Sequence, residues 1–135
     1  RLTSNDINIR MKAAKSWSNW EASTSKLIQS KESLHSFEND KKAEAFSRIE
    51  CHYFINNFFF NSDNWILDNC YKIKSIPCVI IQGRYDVVCP ITSAWELHKE
   101  LPKSKLIIVP DAGHSMLELG IQKELIKYTN LFCEV

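Results

Sequence analysis

Glycine is scarce in this chain. Among 135 residues there are three, Gly83, Gly113 and Gly120, and none stands in a G-x-S-x-G nucleophile elbow, so the sequence does not itself contain a serine of that type. Long apolar runs are missing as well: Ile76-Pro77-Cys78-Val79-Ile80-Ile81 and Leu106-Ile107-Ile108-Val109 have the length of strands, far short of the roughly 20 residues that cross a bilayer. Neither sign of charge dominates. With 17 Lys and Arg against 16 Asp and Glu, and the basic residues scattered, no electrostatic case exists for nucleic acid or an anionic membrane as partner. The five cysteines, Cys51, Cys70, Cys78, Cys89 and Cys133, form no C-x-x-C pair, which favours reduced thiols in a cytoplasmic protein over disulfides or zinc. His35 and His52 are too far apart, with one in a polar stretch, to make a ligand set. No metal and no cofactor is expected.

What is present divides into two textures. Residues 1–72 contain no glycine and read as helical; residues 73–135 alternate strands and helices with glycine at the joins. In the first part, Ser4, Asn5 or Asp6 can cap a helix carrying Ile9, Ala13, Ala14, Trp17 and Trp20 at three- and four-residue steps. A second helix is predicted from about residue 40 to Phe54, and the serine- and lysine-rich residues 23–39 between them read as a loop or partly ordered helix. Asn61-Ser62-Asp63 is expected to cap a short helix through Trp65, Ile66 and Leu67. In the second part, the pattern predicts buried parallel strands over residues 78–82 and 105–109. Helices are predicted over 90–101, with Pro90 in the first turn, and over 121–132. The fold class is therefore α/β in the second part, with a mostly helical segment before it.

Two loops carry the chemistry. Gly83-Arg84-Tyr85-Asp86 and Gly113-His114-Ser115 each follow an apolar run, and Asp86 and His114 stand 28 positions apart, room for one helix and one strand. Functional groups of such sheets gather at the carboxyl ends of the strands. A general-base histidine needs a carboxylate on its second ring nitrogen to fix the tautomer and to stabilise the imidazolium, and Asp86 can serve His114 in this way. Either residue alone would be an ordinary loop residue; the pair after two strands, with glycines that let the backbone bend, points to catalysis.

The segments Trp17-Ser18-Asn19-Trp20-Glu21, Ile49-Glu50-Cys51-His52-Tyr53-Phe54, Gly83-Arg84-Tyr85-Asp86-Val87-Val88-Cys89-Pro90 and Asp111-Ala112-Gly113-His114-Ser115 together resemble the proline iminopeptidases. These are α/β-hydrolase serine peptidases that release N-terminal proline from peptides. The resemblance runs over essentially the whole chain. It implies a helical cap segment over 1–72 and the C-terminal portion of an α/β-hydrolase core over 73–135. It also implies that Asp86 and His114 are the acid and histidine of a triad and that Glu21 and Glu50 bind the free amino end of the substrate. Phe54, with Tyr53 beside it, would line the proline pocket, and Cys89 matches a cysteine that makes some members sensitive to thiol reagents. The glutamate roles agree with chemistry: an N-terminal proline is a secondary ammonium with two N–H donors, which two converging carboxylates can accept.

The same resemblance places the nucleophilic serine upstream of Arg1, so the segment alone is expected to be inactive and its sheet to present an open edge. Two rivals stand beside it. Another α/β-hydrolase, an esterase or epoxide hydrolase, would leave Glu21 and Glu50 without a task; a non-catalytic remnant of such a hydrolase would serve as an interaction module. Without the resemblance, Glu21 reads as a solvated helix residue, Glu50 as a helical charge paired with Arg48 or Lys42, and Trp17 and Trp20 as packing residues.

Overall fold

The computed structural model describes residues 1–29 and 40–133. Of the polar stretch read as loop or partly ordered helix, residues 30–39 lie outside the described residues. Two compact units are present, Arg1–Thr24 with Ile28–Asn61 and Ser25–Leu27 with Ser62–Val135, so that residues 62–72 pack with the second unit.

The first unit is built on two helices, α1 (Ile7–Thr24) and α2 (Asp40–Ile55). Of the three candidate caps, Asp6 is the one that acts: its Oδ1 accepts the Asn8 N–H at 2.8 Å, satisfying a donor the helix start leaves without a partner. The buried residues of α1, Ala14, Ser18 and Ala22, recur every helical turn, as do Ala43 and Ser47 on α2. Small side chains on those faces let two backbones come close, and ion pairs between Arg10 and Glu44 and between Lys15 and Asp40 flank the contact. Trp20 does not pack as expected; it is 68% exposed. After α2 the chain turns through Asn57, Phe58 and Phe59, all with positive φ (48°, 54° and 61°), a left-handed run that costs each of these non-glycine residues about 1 kcal/mol.

In the second unit, α3 (Trp65–Asp68) opens at Asn64, one position past the expected cap, without a side-chain cap hydrogen bond. The strands β1 (Cys78–Gly83) and β2 (Ser104–Val109) pair in parallel, joined by α4 (Ile91–Glu100) and followed by α5 (Leu119–Cys133). This is the strand-helix-strand-helix order read from the sequence. Pro90 sits just before the first turn of α4, at the N-cap. The strands are less buried than their apolar sequence suggested: residues 78–82 are half-buried, and Gly83 and Val109 are the buried ends. The reason is that each strand has one neighbour among the described residues, while full burial of a parallel strand needs partners on both edges and both faces. Val109, Ala112 and Ile121 form a buried cluster, with Ile81 and Leu125 packed against it, at the end of β2 and the loop that follows. No helix among the described residues is long and apolar enough to cross a membrane.

Candidate active site

The register pairs Cys78 with Ser104 and Gly83 with Val109, so β1 and β2 end level with each other. The loops that follow are tied together by their backbones: Arg84 N–H donates to the Val109 carbonyl at 2.9 Å and Tyr85 N–H to the Ala112 carbonyl at 3.0 Å. Gly83 is indispensable here through space, not through its torsion angles, since no glycine has a positive φ. A Cβ on residue 83 would stand 1.9 Å from the Gly113 carbonyl oxygen, a distance no packing tolerates. Gly113 is nearly as confined, with the Leu27 nitrogen 3.0 Å from the position of its Cβ. The sharp bend expected of these glycines is thus a close approach of two loops.

That approach delivers the acid to the base. Asp86 Oδ2 lies 3.0 Å from His114 Nδ1, while Oδ1 accepts the N–H groups of Val88 at 2.9 Å and Cys89 at 2.8 Å. The Asp86 side chain is 6% exposed and that of His114 38%, so the carboxylate is sheltered while the imidazole remains reachable. With Nδ1 directed at the carboxylate, a neutral imidazole carries its proton there and presents Nε2 as an acceptor for an incoming hydroxyl. The histidine loop is braced from below. Glu118 accepts the Gly113 N–H at 2.8 Å and the Leu27 N–H at 3.1 Å, and the Ser25 carbonyl accepts the N–H groups of His114 and Ser115.

The remaining predicted site residues belong to the first unit. Glu50 on α2 is half-buried and accepts the Trp17 indole N–H at 2.6 Å, not a bond from Arg48, which pairs with Glu44. The Trp17 ring also lies 6.1 Å from Phe54, and Phe54 meets Phe58 edge-on at 5.2 Å. Tyr53 joins this aromatic group through Phe58 and Phe59, so Glu50, Phe54 and Tyr53 share one end of α2. Glu21 lies one turn beyond Trp17 on α1 and is half-buried. Two of the hollows among the described residues of this unit are large. One, of about 670 Å³, is lined by Glu44, Arg48, His52 and Tyr53, the other, of about 1040 Å³, by Lys12, Ser16 and Trp17, and neither is lined by Glu21 or Glu50.

The description TAP-like protein belongs to the family (Abhydrolase_4) whose model matches residues 47–128, more than half of the chain. The chain belongs to this family of α/β-hydrolases. Among curated relatives, it is 60% identical over 132 residues to the "Probable proline iminopeptidase" of Leptolyngbya boryana, covering 98% of this chain and 41% of that protein. It is 51% identical over 126 residues to the "Proline iminopeptidase" of Arabidopsis thaliana, covering 93% and 33%, and 46% identical over 132 residues to that of Xanthomonas citri, covering 98% and 42%. The chain spans between 33% and 42% of the length of these relatives.

Within this α/β-hydrolase, sequence reasoning missed three groups beside the acid and the base: Gln82, Glu118 and the Ser25 carbonyl. Gln82 had a signal, being a polar side chain at the end of an otherwise apolar strand. Glu118 and Ser25 had none, because what they hold are backbone N–H groups, most of them far along the chain, and the Trp17 bond to Glu50, between side chains 33 positions apart, was hidden as well.

Proposed function

We propose that this chain provides the amine-binding cap segment, residues 1–72, and the C-terminal catalytic part, residues 73–135, of a proline iminopeptidase acting on peptides with a free N-terminal proline. The hydrogen bond from His114 Nδ1 to Asp86 Oδ2 at 3.0 Å, on strand ends brought level by the parallel register, carries the reading. The names of the relatives support it.

In this scheme the nucleophile is a serine from a G-x-S-x-G segment outside the chain. His114 Nε2 takes the serine proton as the hydroxyl attacks the carbonyl of the N-terminal proline, then returns it to the departing peptide amine. Asp86 stays ionised, orients the ring and stabilises the imidazolium. Glu21 and Glu50 accept the two N–H groups of the prolyl ammonium, with Phe54 and Tyr53 against the pyrrolidine ring. Fixing the charged nitrogen at a set distance from the scissile carbonyl confines cleavage to the first peptide bond. The chain alone then has nothing for His114 to activate. The scheme calls for no metal or cofactor, and five cysteines without a C-x-x-C pair support a cytoplasmic setting.

The test is proline release from a fluorogenic proline amide by the protein carrying the serine segment in frame. Asp86→Ala and His114→Ala are expected to lower kcat/KM by about 10³-fold or more. Glu50→Gln should reduce turnover of the proline amide while sparing a neutral ester. A folded protein that cleaves the ester but not the proline amide would establish the esterase alternative.

A further inference from the structure

We propose that Gln82 is a positioning residue for the acid of the relay, its carboxamide holding the Asp86 carboxylate so that Oδ2 faces His114 Nδ1. The inference rests on the relay reading above and concerns a side chain to which that reading gives no task.

Gln82 interrupts the apolar run of β1 one residue before its end, and its backbone is held opposite Ile108 in the strand ladder. Its amide nitrogen lies 2.9 Å from the Cys89 carbonyl, 3.3 Å from Asp86 Oδ2 and 3.3 Å from the Gly83 carbonyl. Two backbone carbonyls and an ionised carboxylate can only accept, so the chemistry of the neighbours assigns the NH2 group, and not the amide oxygen, to this end of the side chain. One of its hydrogens serves Cys89; the other serves the Asp86 and Gly83 oxygens.

The distribution of donors over Asp86 shows what this adds. Val88 and Cys89 N–H both hold Oδ1, and a carboxylate pinned at one oxygen can still turn about its own bond. Oδ2, the oxygen that meets His114, takes a further hydrogen bond from Gln82. The same amide takes the carbonyl of Cys89, whose N–H holds Oδ1, so the strand end and the loop from Asp86 to Cys89 are tied at both faces. A donor on a strand loses less order to thermal motion than one on a loop, which suits it to fixing a carboxylate plane.

The experiment follows the His114 Nδ1–H proton by NMR in the isotopically labelled, folded protein carrying the serine segment in frame, together with its exchange with water. In the wild type this proton is expected to be protected, and Asp86→Asn should abolish the protection. Gln82→Leu, which keeps the bulk and loses the donors, should speed the exchange by about tenfold, the ratio set by one hydrogen bond to a charged group of ordinary strength. Gln82→Met, with the same unbranched stem, repeats the measurement should the leucine disturb the amide signals of β1 and β2. Unchanged exchange in either folded variant would overturn the proposal while leaving the relay intact. A wild-type proton without protection, or protection that survives Asp86→Asn, would remove the relay reading and this proposal with it.

Discussion

The two units hold their important side chains by different means. In the second, the strand ladder and hydrogen bonds between loop backbones place Asp86 and His114, so position follows from main-chain geometry. In the first, Glu50, Phe54 and Tyr53 depend on side chains meeting side chains: an indole on a carboxylate, rings against rings, Arg10 on Glu44. A ladder fixes many atoms cooperatively, whereas each side-chain contact is separately removable. Damage to the first unit should therefore be graded and local, and damage at the strand ends severe.

The sharpest way to break that contrast is Gly83→Ala. Even a methyl group meets the Gly113 carbonyl, so a loss of about 3 kcal/mol or more is expected by urea denaturation, with the His114 Nδ1–H protection lost. Trp17→Phe keeps the ring beside Phe54 but removes the donor to Glu50; about 1.5 kcal/mol should be lost, seen as faster amide exchange along α1 and α2. Ser18→Ala acts in the opposite direction. The Ser18 hydroxyl is buried without a hydrogen-bond partner among the described residues, so its removal should raise stability by about 1 kcal/mol, whereas the buried Ser47, which donates to the Glu44 carbonyl, should gain nothing from the same change. Asn57→Gly should relax one left-handed residue and add about 0.5 kcal/mol to the unfolding free energy measured with urea, less than at Phe58 because Asn tolerates this region better.

A pH titration gives the gentlest test. The hydrogen bond from Arg10 holds the Glu44 carboxyl below its ordinary value of 4.5; the opposing cost of burial is next in size, and the Arg10 and Arg48 charges add smaller lowering effects. Because the folded value is the lower one, the pair stabilises fully above pH 4.5 and the contribution fades as pH falls through the folded value. Arg10→Ala should flatten that part of the stability profile, measured by thermal unfolding between neutral and acid pH.

The order of elements in the second unit was legible in advance because strands and helices have periods of their own and glycine and proline mark their ends. Strand burial was not, since it depends on how many neighbours a strand acquires, as the half-buried Val79 and Ile80 illustrate. The caps divide in the same way: Asp6 acted as a local signal predicts, while the short helix at Trp65 opened at Asn64 without a side-chain cap hydrogen bond, its Trp65 N–H donating to the Ser62 carbonyl instead.

By itself, the sequence determined that a helical part precedes an α/β part and that an acid and a histidine follow two apolar runs in the order a hydrolase relay requires. Those properties reside in local periodicity and spacing. Only the tertiary structure decided that the two parallel strands end level, that Gly83 is required by the carbonyl of Gly113, and that Gln82, Trp17 and Glu118 hold the groups around them. Each of these depends on which distant backbone or side chain arrives within hydrogen-bonding or contact distance, and such meetings leave no trace in the spacing along the chain.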